Sequence, residues 1–262
     1  MKRILPLLLV LPLALIAATV ALGANWIVTC SQSHINNDDP IVFPNQPGVS
    51  HTHLYVGARN TDAFSTPSSL RAGGTTCGMA GDTSGYWEPK PLNYNLHPNG
   101  GALFYYSGSA SVRPFPDGLR MIVGNSKATS EVTNPGIVSG NIKFKCGPGS
   151  NPYFARPPAS CSSGMMVPTV TFPKFWDGVH LDSFDHLSHM SYSRNAAHPI
   201  ELPKIVAYVR HAVGPGPINF TLSSGPYYTY HLDFLNAWDP AALQRFVDQC
   251  MKTGSNCGTN PQ

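Results

Sequence analysis

Short runs of β-branched and aromatic residues, alternating with polar ones and set off by Gly, Pro, Asn and Ser, recur along most of the chain. That alternation is the signature of strands rather than helices. It predicts strands at Trp26–Thr29, His53–Gly57, Leu103–Tyr106, Arg120–Val123, Asn141–Lys145, Val167–Phe172, Ile205–Val213, Ile218–Leu222 and Tyr228–Phe234. One segment departs from it. Within Pro240–Met251, Leu243, Phe246, Val247 and Cys250 share a helical face, Asp239 can accept the first free N–H groups, and Pro240 suits the first turn. A short turn of helix is expected to start at Thr66-Pro67. Two long stretches, 58–102 and 146–166, read as loops of a length that compact domains use for function or pin with cross-links. No repeat or linker divides the chain. The expected fold is mainly β, a single-domain antiparallel β-sandwich or irregular barrel with long disulfide-pinned loops and one C-terminal helix.

The first residues follow a different rule. Lys2 and Arg3 precede an apolar run from Ile4 to Leu22, and Ala21-Leu22-Gly23 sets small residues at the −3 and −1 positions of a cleavage site. Pro6, Pro12 and this exit favour a removable export signal over a membrane anchor. Residues 1–23 are therefore expected to be a signal peptide and 24–262 the mature domain. It would be secreted (extracellular, cell wall or periplasm), with no membrane attachment after cleavage. All six cysteines lie in the mature part, and an even count in an exported chain implies disulfides. Closeness in sequence favours Cys146–Cys161 and Cys250–Cys257, leaving Cys30–Cys77. No C-x-x-C pair is present, so the cysteines read as staples.

Composition narrows the classes further. Only 12% of residues are charged and 42% are hydrophobic, with 24 Gly and 25 Pro. This excludes a helical bundle, a coiled coil and an acidic disordered chain. A formal charge of +3, without a basic stripe, gives no basis for nucleic-acid binding. Ten histidines against 17 Lys and Arg is the unusual feature, and it directs attention to imidazole chemistry.

Three constellations carry that chemistry. On a strand, His51 and His53 project from one face, a common half of a metal site. Within His180–His189, three histidines and two aspartates fall in a chain poor in charge; Asp182, Asp185, His186 and His189 lie three or four apart and could converge. His231 and Asp233 again stand two apart on an expected strand. One divalent metal ion held by His51, His53, His186 and Asp182 is one reading. Metal-free acid–base work by an aspartate-oriented histidine is another, two carboxylates flanking a glycosidic bond a third, and structural hydrogen bonding a fourth. Asp182, Asp185, His186, His189, His231 and Asp233 are the expected catalytic set. Tyr86, Trp87 and Trp176 are expected to line a substrate groove by stacking on sugar faces. His34, His97 and His211 have no partner at ligand spacing and read as surface or capping groups, and His198 before Pro199 is a weak ligand candidate. The cupin pattern fails because Ala58 and Arg59 stand where it needs a carboxylate. G-x-S-x-G, P-loop, G-x-G-x-x-G and H-E-x-x-H motifs are absent. A copper oxygenase using the N-terminal amine would need a first mature histidine, and Ala24 stands there.

The ordered blocks also resemble a known family. They run from Asp39-Pro40-Ile41-Val42 through His51-Thr52-His53, Thr75-Thr76-Cys77, Tyr86-Trp87-Glu88-Pro89 and Phe115-Pro116-Asp117-Gly118-Leu119-Arg120-Met121. They continue with Trp176-Asp177-Gly178, Leu181-Asp182-Ser183, Asp185-His186, Ser188-His189-Met190, His198-Pro199, His231-Leu232-Asp233-Phe234 and Trp238-Asp239. In these the chain is similar to DUF1996 proteins, exported domains without an established activity, often attached to wall or carbohydrate-binding modules. The resemblance implies polysaccharide surroundings. It carries over His51, His53, Asp182, Asp185, His186, His189, His198, His231 and Asp233. Phe175 and Arg194 stand where relatives have cysteines, which implies a disulfide this chain lacks. The expected function is hydrolysis of extracellular polysaccharide by a monomer whose partner is that polymer or the cell wall. The alternatives are a non-catalytic carbohydrate-binding module and an extracellular metal-binding protein.

Overall fold

The computed structural model describes residues 25–98, 101–149 and 152–261, and the expected signal segment lies outside them. Five strands form one antiparallel sheet in the order Gln32–Asn36, His53–Gly57, Gly85–Pro89, His231–Leu235, Arg120–Gly124. A larger sheet runs Gly258–Thr259, Asn25–Cys30, Ala102–Ser107, Lys204–Val209, Met165–Thr171, His211–Ala212, Asn95–Leu96, with Ile142–Cys146 also paired to Met165–Thr171. All of its pairings are antiparallel except that of Asn25–Cys30 with Gly258–Thr259.

Period-two alternation decides which face of each strand is buried where. Leu54, Val56, Tyr86, Leu232 and Phe234 meet Val28, Phe104, Tyr106 and Ile205 of the larger sheet in one core. Tyr86 stacks on Phe104 with ring centroids 3.8 Å apart. The intervening residues Tyr55, Trp87 and Leu235 face the other way, where Ile41 and Leu70 cover them in a second, smaller cluster. The segment after Gln32–Asn36 and the helix Pro67–Gly73 thus roof the outer face of the five-stranded sheet. Beneath that roof lie the buried polar groups His53, His231, Asp39 and Asp233. Neither sheet closes on itself among the described residues, so the sandwich holds and the barrel does not.

Disulfides join Cys30–Cys77, Cys146–Cys161 and Cys250–Cys257, the expected pairing. Among the described residues no helix is long and apolar enough to cross a membrane. The helix Pro67–Gly73 begins at Thr66, whose side chain accepts from the Ser69 N–H. The C-terminal helix is capped by Asp239, runs to Phe246, and then widens into a π-turn over Val247–Met251.

Other expectations change. Gly85–Pro89 occupies the middle of a sheet inside a stretch read as loop. Its Gly, Glu and Pro hide the strand pattern, and burial on both faces removes the alternation. The expected strand Ile205–Val213 breaks at Arg210 into Lys204–Val209 and His211–Ala212. Of Ile218–Leu222 only Thr221–Leu222 pairs, and Tyr227–Thr229 forms a 3₁₀ turn before the strand that opens at His231.

Candidate metal centre

His53 and His231 open two strands that flank Gly85–Pro89, and both rings lie on the outer face of the sheet with Tyr55, Trp87 and Asp233. Asp39 and His51 descend from the covering segment. Asp39 folds back on its own chain, one carboxylate oxygen accepting the N–H groups of Ile41 and Val42 at 2.9 Å each.

Hydrogen bonds fix the tautomers. The Nδ1 of His53 lies 2.9 Å from the carbonyl oxygen of Asp38, and the Nδ1 of His231 lies 2.9 Å from that of Thr229. A carbonyl only accepts, so each ring carries its proton on Nδ1 and presents a lone pair at Nε2. These two Nε2 atoms face each other at 3.4 Å. Two lone pairs facing at that distance are spaced as two ligand atoms of one cation would be. Burial first, then the neighbouring imidazoles, holds His53 far below its ordinary value, and burial pushes His231 down to about 3. Burial thus disfavours a shared proton and leaves both lone pairs open to a metal ion. Two nitrogens bound at about 2.05 Å to one tetrahedral ion stand roughly 3.3 Å apart, close to the spacing here.

The remaining groups complete the set. The His51 ring lies 4.2 Å from that of His53 and 5.0 Å from that of His231, centroid to centroid. Its buried Nε2 has no hydrogen-bond partner, and burial lowers its pKa to about 4. Both oxygens of fully buried Asp233 also lack a hydrogen bond of ordinary length: one is 3.9 Å from the Nε2 of His231, and the Trp87 indole N–H, without another partner, is near enough to lower the carboxyl pKa against burial. Burial, with the charge of Asp39 added, raises Asp233 well above the usual carboxylate range, and burial pushes Asp39 up to about 6. Ligand atoms of His51, His53 and His231 all lie within 4.8 Å of one another, as do those of Asp39, His53 and Asp233. A small cavity of about 40 Å³, lined in part by Ser50, Ser126 and Lys127, borders the cluster and has room for a water. Orphaned buried acceptors are rare in folded proteins, and here they converge.

The histidine-rich segment after Trp176 does not enter this set. The Asp185 carboxylate accepts the Leu187 and Ser188 N–H groups and the Ser183 and Ser188 hydroxyls. Those bonds hold it well below the usual carboxylate range. Buried His189 bonds the Ser183 hydroxyl at 2.9 Å and donates from Nε2 to the Arg120 carbonyl at 2.7 Å. Asp185 and His189, expected as catalytic, instead tie the segment down. His186 and Asp182, expected as metal ligands, pair with each other. The His186 Nδ1 lies 2.9 and 3.1 Å from the two Asp182 oxygens, and the Arg120 guanidinium is 3.6 Å from Asp182. His186 adopts φ 56°, and the Asp182 hydrogen bond raises its pKa against the effect of burial. The pair stands beside the metal set, near enough for its charges to act on Asp39. His186 and Ile122 line an apolar cavity of about 320 Å³, and Ile122 also borders the metal cavity.

The expected sugar-stacking residues fail on burial. Tyr86 and Trp87 are 0% exposed. Tyr86 donates to Asp82 within the core, and Trp87 lies under the covering segment. Trp176, half-buried, donates its indole N–H to the His180 carbonyl at 2.6 Å. His211 is not a surface group: it is buried 3.2 Å from Glu88, which accepts the Tyr230 hydroxyl at 2.6 Å. His198 bonds the Ser188 carbonyl and stays outside the cluster. Asp39 is not among the expected site residues; its signals are its place in the first family block and an acidic side chain beside a proline in a chain with few acids.

A family described as a domain of unknown function, DUF1996, matches residues 39–238, a span that holds all five metal-set residues. The chain belongs to the DUF1996 family. No curated protein and no solved structure matches it. As a DUF1996 domain it has its buried histidine–aspartate cluster on the outer face of the five-stranded sheet.

Proposed function

We propose that this DUF1996 chain is a secreted metalloprotein that binds one divalent transition-metal ion, zinc being the best fit, through His51, His53, His231 and Asp233, with Asp39 behind them. The carrying observation is the pair of Nε2 lone pairs at 3.4 Å, beside an unpartnered His51 Nε2 and an Asp233 carboxylate without a hydrogen bond of ordinary length. Three imidazoles and a carboxylate are a borderline-soft donor set suited to zinc. Three disulfides fit an oxidising compartment outside the cytosol.

When bound, such an ion lowers the pKa of a coordinated water and supports hydrolysis. The protein's own part is to hold the imidazoles neutral, exclude bulk water, and line the small cavity beside them with Ser50, Ser126 and Lys127. Those polar groups suit a hydroxylated substrate, and hydrolysis of an extracellular polysaccharide is the reaction proposed. His186, oriented by Asp182, is placed to exchange protons next to the centre.

Metal analysis of protein made without a polyhistidine tag, stripped with chelator and reloaded with zinc, tests the binding. One ion per chain is expected, with none retained by His53→Ala or His231→Ala at micromolar zinc. Equal retention by the variants, or no uptake by the wild type, would overturn the centre. Sugar release from wall glycans by loaded, stripped and His231→Ala protein then tests the hydrolysis. Release that ignores the metal and the substitution would remove it.

A further inference from the structure

A second cleft lies on the opposite side of the sandwich, on the outer face of the larger sheet. Alternation builds its floor: Phe104, Phe144 and Ala207 enter the core, so their neighbours Leu103, Tyr105, Lys145 and Tyr208 project outward. One wall is formed by Gly147, Gly149 and Tyr153. The Cys146–Cys161 disulfide and backbone pairing of Phe154 with Phe144 hold that wall against the sheet. The cleft encloses about 350 Å³, at the small end of ordinary ligand sites, roughly 300–1,000 Å³.

Its chemistry is aromatic and basic. The Lys145 residue is only 3% exposed. Its ammonium sits 5.0 Å from the Tyr208 ring centroid and 5.5 Å from that of Tyr153, and donates to the Gly149 carbonyl at 2.6 Å. Tyr105 stands edge-on to Tyr208 with centroids 5.1 Å apart, and Arg210 adds a second cation to the lining. Among the described residues no Asp or Glu lines the cleft. Ring faces and a main-chain carbonyl are the neutral company of a charge that is costly to bury without an anion. An incoming carboxylate would meet the Lys145 ammonium, whose neighbours in the cleft are rings and a main-chain carbonyl.

We propose that this cleft binds a carboxylate-bearing sugar, a uronate unit of an extracellular polysaccharide. The carboxylate pairs with Lys145. The apolar face of the pyranose lies on the tyrosine rings, and its hydroxyls meet the phenol hydroxyls and the carbonyls of the glycine-rich turn. This site shares no residue with the metal cluster, so it stands or falls separately from it.

The test uses chelator-treated protein, so that loss of the metal reading leaves it intact. Binding is measured by calorimetry and by retardation in gels containing polygalacturonate, a neutral β-glucan or a sulfated glycan. Wild type is expected to bind polygalacturonate in a salt-sensitive manner, at least tenfold more tightly than the neutral glucan. Lys145→Met and Tyr153→Ala should each weaken that binding at least tenfold. Tyr153 is half exposed, so its variant keeps the test valid if Lys145→Met fails to fold. Three results would each overturn the proposal: no binding to polygalacturonate, equal or tighter binding of the neutral or sulfated glycan, or unchanged affinity in Tyr153→Ala.

Discussion

Gly124 faces His231 across the five-stranded sheet so closely that a β-carbon on it would stand 2.4 Å from the carbonyl oxygen of Tyr230 and 2.8 Å from the α-carbon of His231. Its φ of 111° is also one that side chains rarely adopt. The bare glycine lets the edge strand Arg120–Gly124 close on the residue that supplies one of the two facing imidazoles. The position of His231 is therefore set by a neighbour that offers no chemistry of its own.

Gly124→Ala should displace His231 from His53 as well as strain the edge strand. A stability loss of about 2–3 kcal/mol is expected from the conformation and the clash. Zinc affinity should fall by more than that loss explains, at least tenfold when measured by competition with a chromogenic chelator. A variant that is destabilised but binds zinc as wild type does would show that the strand, and not the glycine, positions the ring.

Asp233→Asn separates a ligand from a structural carboxylate by sign. Burial raises Asp233 well above the usual carboxylate range, so its carboxylate carries a desolvation cost of about 1–3 kcal/mol beyond that of an uncharged amide of the same shape. The metal-free variant should therefore be more stable than metal-free wild type by that order. Wild type gains about 2.7 kcal/mol at a zinc concentration of 100 times its dissociation constant, and the variant should gain far less. Thermal melts of both proteins in chelator and in zinc give all four values. A loss of stability in chelator would mean that Asp233 supports the fold directly.

Alternation and turn residues made most of the sandwich legible, because strands half-buried against a core, such as Lys204–Val209, keep period two. They did not reveal Gly85–Pro89, which is buried on both faces and so shows no alternation. The pairing of His231 with Asp233 was readable because two-residue spacing puts side chains on one face of a strand, whereas His51 meets His53 from the covering segment, outside the strand that opens at His53. What sequence spacing could not weigh was competition for hydrogen bonds. The dense run His180–His189 looked richer in ligands than any other, yet its aspartates and histidines satisfy one another and the local backbone. Asp39 was hidden for the converse reason. It joins the cluster only because the segment after Gln32–Asn36 folds back over the sheet.

Asp185→Ala tests that division. Removing the carboxylate frees the Leu187 and Ser188 N–H groups and two serine hydroxyls, at a cost of about 1–2 kcal/mol. Zinc stoichiometry and affinity should stay at wild-type values, while proteolysis within 180–190 should accelerate. Loss of zinc in a folded Asp185→Ala protein would return that segment to the metal centre.

Asp82 supplies the pH dependence that is free of the metal. It is fully buried beneath Tyr86, whose hydroxyl donates to it at 2.8 Å and also meets Tyr106, which in turn accepts the Trp238 indole N–H at 3.1 Å. Burial pushes its pKa up to about 6, against the pull of those hydrogen bonds. A carboxyl whose folded value lies above its unfolded value stabilises the fold fully below the unfolded value, about 3.9. That contribution is lost as pH rises through the folded value. Between pH 4 and pH 7 wild type should therefore lose about 2.5 kcal/mol relative to Asp82→Asn, whose amide does not titrate. Urea unfolding of both proteins at pH 4, 5, 6 and 7 in chelator measures the difference directly. A constant gap across that range would place Asp82 in an environment where its charge costs nothing, and would contradict the buried carboxyl–tyrosine chain.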